Sequence, residues 1–290
     1  MNKQTLVNWL IFILLSLIWG SSFILMKIST AGLNAAQIAS VRIFSAGLVF
    51  LPFAIFHLKK IPADKLLMVI LTGIFGNLLT AFLFAAAIAN NIDSSLAAIL
   101  NSLTPLSVVI LGAIFFKAKI RSDKIIGILI GFAGLCLLTI TQKNINLQNA
   151  GYAALVLLAT ISYGLNVNII SYKLNNVNPF QAATVSLAFM CIPSGIVLWQ
   201  QHFLNLPLHQ PVIYKSILAS VTLGIAGSAI ATAFFYVLVK RAGGLFASMV
   251  TYGIPFIAIA WGIIYNEQVT LLQAGCLAVI LCGVYITNKK

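Results

Sequence analysis

The chain has 290 residues, of which 61% are hydrophobic and only 7% are charged, and its mean hydropathy is +1.06. Soluble domains carry about 25% charged residues, so this composition excludes a water-facing surface and predicts an integral membrane protein. The formal net charge of +13 does not indicate nucleic-acid binding, because the basic residues lie in short loops between apolar runs, where they orient membrane proteins.

Ten apolar runs follow one another along the chain, each about 20 residues long, which is the length that a transmembrane helix needs. The runs do not alternate between polar and apolar residues as the strands of a membrane barrel do. The sequence therefore predicts an all-α integral membrane protein with ten transmembrane helices. The predicted spans are 8–29, 35–56, 66–89, 94–116, 124–141, 151–172, 180–200, 213–239, 246–266 and 270–287.

The second half of the chain repeats landmarks of the first half in the same order. The segment GIFGN at 73–77, for example, corresponds to GIAGS at 224–228. Each half contains five spans, an odd number, so the second half must enter the membrane from the opposite side. This pattern predicts two five-helix inverted-topology repeats, over residues 1–143 and 151–290, an arrangement typical of transporters.

Each repeat contains a proline in the middle of a span, Pro105 in the fourth and Pro255 in the ninth. A proline inside a helix leaves the carbonyl four residues earlier without its hydrogen bond, and these carbonyls belong to Asn101 and Thr251. Two interpretations stay open. Either the carbonyls and side chains line a polar cavity at the midplane, or each proline produces a kink that neighbouring groups satisfy.

Further polar side chains recur at helical spacing on matched pairs of spans in the two repeats. Single polar residues in membrane helices often only hold helices together, but the matched pairs predict a shared substrate cavity. The predicted cavity residues are Trp19, Ser22, Asn77, Asn101, Thr104, Tyr163, Asn166, Ser228, Thr232, Tyr236, Thr251 and Tyr252.

Three charged residues lie within or at the edge of the spans, where ionisable groups are rare and usually functional. Arg42 lies about two turns inside the second span, so we expect it to pair with Glu267, a polar ligand or backbone carbonyls. Lys27 and Glu267 lie near helix ends. They either take part in charge pairing or ion coupling, or extend to the membrane surface.

The distribution of basic residues predicts the orientation. If the N-terminus is cytoplasmic, the outer side holds only Lys27, Lys143 and Lys215, and Arg42 lies within a span. The other 13 of the 17 lysines and arginines then lie on the inner side. This asymmetry predicts a multi-pass protein of the cell membrane with both termini in the cytoplasm.

The sequence contains no nucleotide-binding loop, no HExxH motif and no aspartate-rich metal motif. The four cysteines lie inside spans without neighbouring histidines, so we expect neither a metal site nor a cofactor. An intramembrane serine protease would need a histidine within a span, whereas His57, His202 and His209 lie in loops or at span edges.

Three segments and one residue together resemble the EamA family of the drug/metabolite transporter superfamily: IWGSSFILMK in the first span, Arg42 in the second, SSLAAILNSLTPL in the fourth and GIIYNEQVT closing the ninth. The resemblance covers nearly the whole chain as two EamA repeats. It implies a secondary transporter whose first, third, fourth, sixth, eighth and ninth helices surround a central cavity. The chain departs from the family at Lys117, which replaces the glutamate that closes the fourth span.

We therefore expect a secondary active transporter that exports small metabolites, amino acids or related zwitterions, by alternating access. Its expected partners are a small-molecule substrate and membrane lipid, with no nucleic acid. A lipid-carrier flippase or flippase subunit is the nearer alternative, and a membrane-embedded enzyme is the distant one.

Overall fold

The computed structural model describes residues 3–90, 92, 94–119, 121–140, 150–257 and 270–288, and all regular secondary structure within them is helical. Six of the described helices are long and apolar enough to cross a membrane, and three shorter helices are also apolar. This confirms the prediction of an all-helical, multi-pass membrane protein. The helices are α1 (Lys3–Ser29), α2 (Ala35–Leu58), α3 (Ala63–Ala89), α4 (Ser94–Asn101), α5 (Thr104–Phe116), α6 (Ser122–Ile140), α7 (Ala153–Lys173), α8 (Pro179–Gln200), α9 (Pro211–Ala242), α10 (Gly244–Ile257) and α11 (Leu271–Asn288).

The outside of the bundle is apolar, and many polar side chains lie inside it. Leu271 is 91% exposed and Ile140 is 79% exposed, whereas Asn166 and Thr251 are buried. A soluble protein has the opposite distribution. The surface of this bundle is therefore suited to contact with lipid, and its polar chemistry is concentrated in the interior.

Two helices begin with the same type of cap. The Asn34 side chain accepts a hydrogen bond from the backbone N–H of Gln37, and the Gln37 side chain accepts one from the backbone N–H of Asn34. At the start of α8, the Asn178 side chain accepts from the backbone N–H of Gln181. These side chains satisfy backbone donors that have no partner within the helix, and so they fix where α2 and α8 begin.

The predicted fourth span is interrupted rather than kinked. It consists of α4 and α5, separated by a turn at Ser102 and Leu103, and Pro105 lies in the first turn of α5. Proline is well suited to this position because the N–H that it lacks would have no helical partner there. The break in this span therefore lies next to Pro105, at the two residues Ser102 and Leu103.

Three of the long helices contain a π-helical segment, in which the backbone is locally wound more loosely. The segments are Ile74–Leu78 in α3, Ile169–Lys173 in α7 and Leu223–Ile230 in α9. In α10, residues Met249–Gly253 are wound more tightly, as a 3-10 helix. Such irregular turns are frequent at functional sites, and all four of these border the cavities described below.

The helices form a central group flanked by two helix pairs. In one pair α2 packs along α8, and this pair contacts α3 and α9. In the other pair α6 packs along α11, and this pair contacts α4, α5 and α10. The central group, which consists of α1, α3, α7 and α9 with the short helices α4, α5 and α10, therefore encloses the interior.

Glycines allow α6 and α11 to approach closely. A Cβ atom on Gly283 would overlap the backbone of Gly131 and Gly127, and one on Gly127 would lie 2.8 Å from the Gly283 carbonyl oxygen. Small residues are typical of membrane helix interfaces because they bring two backbones into contact. By contrast, Gly275, on the same helix as Gly283, has open space around it.

We predict that Gly283→Ala lowers the apparent melting temperature of the purified protein in detergent, because the added methyl group forces α6 and α11 apart. Overpacking of this kind costs about 1–3 kcal/mol. Gly275→Ala is the matched control, and it should leave the melting temperature unchanged or raise it slightly, since alanine favours a helix over glycine. Equal melting temperatures for the two variants would contradict the close α6–α11 contact.

Candidate functional site

A central cavity of about 60 Å³ lies inside the bundle and receives side chains from both halves of the chain. One part of its wall is aromatic and aliphatic, and the other part carries hydroxyl and amide groups. Its lining residues are Trp19, Ser22, Phe23, Met26, Arg42, Phe84, Asn101, Thr104, Tyr163, Val167, Phe235, Ser248, Thr251 and Ile254.

Arg42 is the one charged residue among the described residues that line this cavity, and only 8% of it is exposed. Its Nε donates a 2.8 Å hydrogen bond to Ser228 Oγ, and the Tyr163 hydroxyl also interacts with the guanidinium. Within the described part of the chain, the carboxylates that form ion pairs are Asp64 and Asp123, both at the protein surface. The predicted partner Glu267 lies outside the described residues, so the described partners of Arg42 are neutral hydroxyls.

A smaller cavity of about 20 Å³ adjoins the central one, and Trp19, Arg42, Tyr163 and Phe235 line both. Its remaining wall is formed mainly by polar side chains and glycines. These further lining residues are Gly76, Asn77, Asn166, Gly227, Thr232 and Tyr236.

Hydrogen bonds fix the side chains on the far wall of the small cavity. Thr232 Oγ1 donates a 2.9 Å hydrogen bond to Asn77 Oδ1, and Tyr236 Oη donates a 3.3 Å hydrogen bond to Asn166 Oδ1. The Asn77 Nδ2 is buried and has no hydrogen-bond partner. Because an unpaired buried donor is costly, this amide is a candidate for binding a ligand.

The π-helical segments provide the close approaches that bring the two halves together. A Cβ atom on Gly76 would lie 2.5 Å from Asn166 Nδ2, and one on Gly227 would lie 3.1 Å from Ser22 Oγ. The Trp19 indole Nε1 also donates a 3.0 Å hydrogen bond to the Gly227 carbonyl. Each glycine therefore lets its backbone contact a polar side chain from the other half of the chain.

The carbonyls that precede the two prolines accept hydrogen bonds from hydroxyl groups. Thr104 Oγ1 donates to the Asn101 carbonyl over 2.6 Å, and Ser102 Oγ donates to the Thr251 carbonyl over 3.4 Å. The side chains of Asn101 and Thr251 both line the central cavity. Both interpretations from the sequence thus apply in part, because neighbouring hydroxyls satisfy the carbonyls while the side chains face the cavity.

A third and much larger cavity, of about 590 Å³, lies where α5, α7, α9 and α10 approach the end of the bundle. Tyr236 lines both this cavity and the small one. The large cavity also carries four basic side chains, of Lys119, Arg121, Lys124 and Lys240. The three cavities therefore form a series, with Tyr236 between the large and the small cavity.

The remaining predicted site residues do not line the described cavities. Ser228 contributes only through its hydrogen bond to Arg42. Tyr252 is fully buried, packs against Gly131, and donates a 2.9 Å hydrogen bond to the Ile128 carbonyl on α6. The structure therefore places Tyr252 at the α6–α10 contact, where this hydrogen bond holds it, and not at a described cavity. Lys27 is exposed in the last turn of α1.

Several cavity residues were missed by the sequence analysis. The apolar residues Phe23, Phe84 and Phe235 cannot be distinguished in the sequence from apolar residues that face lipid. Ser248 recurs at helical spacing with Thr251 and so belongs to the same polar face of the ninth span, although it is not among the predicted cavity residues.

Comparison with known proteins gives relatives over nearly the full chain. The model of the EamA-like transporter family matches residues 7–140 and again residues 151–289. An uncharacterized transporter of Archaeoglobus fulgidus is 26% identical over 98% of this chain and 99% of its own length. The uncharacterized inner membrane transporter YedA of Escherichia coli K12 is 25% identical over 94% of this chain and 88% of its own.

A WAT1-related chloroplast protein of Arabidopsis thaliana is 24% identical over 99% of this chain and 70% of its own length. One solved crystal structure aligns with a TM-score of 0.69 at 18% identity, over 97% of this chain and 96% of the other. That similarity shows a shared fold. Because the two family matches together span most of its length, the chain belongs to the EamA-like transporter family.

Proposed function

We propose that this chain is a secondary active transporter that exports small metabolites, amino acids or related zwitterions, across the cytoplasmic membrane by alternating access. In this mechanism, a site near the middle of the membrane opens to one side and then to the other. The central cavity is the candidate site, since it combines apolar and aromatic surface with a few polar groups, as small-molecule sites do.

The observation that carries the proposal is the reciprocal contact between the two halves. Ser22 of the first half faces Gly227 of the second, and Asn166 of the second half faces Gly76 of the first. Reciprocal contacts of this kind are expected if two similar units face each other across one site. They support two repeats, over residues 1–143 and 151–290, that enter the membrane from opposite sides.

The proposed topology has ten spans, with α4 and α5 together forming the fourth and α10 beginning the ninth. Both termini then lie in the cytoplasm, because short basic loops stay on that side. In this proposed topology the basic residues around the large cavity, such as Lys119 and Lys240, lie on the cytoplasmic side, which supports a cytoplasmic opening.

This arrangement is compatible with export. Substrate would enter the large cavity from the cytoplasm and meet the hydrogen bond between Tyr236 and Asn166, which separates it from the small cavity. Breaking this bond opens the inner path, and re-forming it closes the path behind the substrate. Within the described part of the chain, no observation favours the flippase or the embedded-enzyme alternative.

We predict that overexpression raises resistance of the host cell to toxic amino acids or their analogues, and that deletion lowers it, because export reduces their internal concentration. The measurement is growth on a panel of such compounds, together with efflux of labelled amino acids. Gly76→Val should abolish the effect at an equal amount of protein in the membrane, since its side chain displaces Asn166. Unchanged resistance and efflux across the whole panel would contradict amino-acid export.

We also predict that the N-terminus and the start of the second repeat lie on opposite sides of the membrane. Single cysteines at Lys3→Cys and Gly151→Cys, in a variant without the four native cysteines, should differ in their reaction with a membrane-impermeant thiol reagent. Gly151 is suitable because a Cβ atom there meets no other atom within 4 Å. In intact cells only the cysteine at 151 should react, and labelling of both on one side would contradict the inverted repeats.

A further inference from the structure

The small and the central cavity differ in chemistry, and this difference indicates how a substrate is held. We infer that the substrate carries a carboxylate, that Arg42 and Asn77 bind this group in the small cavity, and that the apolar part of the substrate occupies the central cavity. A substrate amine is not required for binding. The inference rests on the proposed transport function and identifies the group that the site recognises.

Arg42 is oriented to bind an anion. Its Nε is held by Ser228 Oγ at 2.8 Å, which fixes the guanidinium plane. The two terminal nitrogens carry four further N–H groups, and the residue lines both cavities. A fixed guanidinium can donate two parallel hydrogen bonds to a carboxylate, a geometry that an ammonium group does not offer.

Asn77 supplies a second donor to the same cavity. Thr232 donates to Asn77 Oδ1, so the amide is held with its oxygen occupied, and its Nδ2 has no partner. Asn77 is only 5% exposed. A buried donor without an acceptor is unfavourable until a ligand accepts from it, and the carboxylate that binds Arg42 offers lone pairs for this purpose.

The charge balance favours an anion over a cation. The described lining of the two cavities carries the positive charge of Arg42 and no carboxylate. Of the four acidic residues in the chain, Asp64 and Asp123 pair with neighbouring basic residues at the surface. A substrate amine would therefore contact only neutral oxygens and aromatic faces among the described residues. Such groups bind a cation more weakly than a protein carboxylate would.

The sizes of the cavities agree with this division of the substrate. A volume of 20 Å³ holds about one or two water molecules, which is close to the space that two carboxylate oxygens occupy. The central cavity is three times as large, at about 60 Å³ against 20 Å³, and Phe23, Phe84 and Phe235 contribute to its wall. An aliphatic or aromatic side chain of the substrate suits this surface.

The test uses three compounds that share one apolar group. They are L-leucine, 4-methylpentanoate, which lacks the amine, and 3-methylbutylamine, which lacks the carboxylate. We expect leucine and 4-methylpentanoate to raise the apparent melting temperature of the purified full-length protein in a saturable way, with similar half-saturation concentrations. The amine should produce no saturable shift.

Two substitutions connect the binding to the proposed residues. Arg42→Gln should raise the half-saturation concentration of 4-methylpentanoate about thirtyfold or more, because it removes the charged donor. Asn77→Asp should weaken this binding as well, since it places a carboxylate beside Arg42. Arg241→Gln is the control, because Arg241 is exposed, bonds to Asn8, and should leave binding unchanged.

The outcomes separate this inference from the proposed function. Equal binding of the amine and the acid, wild-type binding of the acid by Arg42→Gln, or no shift with any of the three compounds would overturn the inference. A melting curve recorded without ligand shows whether Arg42→Gln folds. If it does not fold, binding of 4-methylpentanoate by Asn77→Asp and Arg42→Lys decides the result. If the acid binds through Arg42 but reconstituted protein moves no labelled leucine or 4-methylpentanoate across vesicles, the transport proposal fails while the carboxylate site stands.

Discussion

Inside a bilayer every polar group must find its partner within the protein, because hydrocarbon offers none. The chain meets this requirement at its helix breaks by bringing separate segments together. The Thr251 carbonyl accepts from Ser102 on the other half, and the Gly227 carbonyl accepts from the Trp19 indole. These two hydrogen bonds therefore stabilise irregular backbone and are also contacts between the two halves.

Arg42 is held in the middle of this network by neutral groups rather than by a described carboxylate. Burial of a charge is costly unless it is paired. The hydrogen bond that Arg42 donates to Ser228 Oγ and the interaction with the nearby Tyr163 hydroxyl reduce this cost only in part. The guanidinium therefore remains able to bind an anionic ligand. Its position at the junction of two cavities, one polar and one largely apolar, makes the charge the organising feature of the site.

Much of the fold follows from the sequence, because helix length and apolar runs are set by the bilayer. The polar residues of the site could also be predicted, since Asn101 and Thr251 stand out against an apolar background and recur in both halves. Aromatic lining residues such as Phe84 could not, because an apolar side chain is compatible with lipid, a helix contact or a cavity. Tyr252 lies at the α6–α10 contact, where it donates to the Ile128 carbonyl, because polar spacing along a helix does not distinguish a helix contact from a cavity wall.

The central claim is that one site between the two halves is reached from each side of the membrane in turn. The most direct measurement is the reaction of a single cysteine at Ser248→Cys with a membrane-impermeant thiol reagent, applied to right-side-out and to inside-out vesicles. The account predicts reaction from both sides, and loss of the inner reaction alone when cysteines at Asn166 and Tyr236 are cross-linked. Reaction from one side only, or a cross-link that blocks neither side, would contradict alternating access.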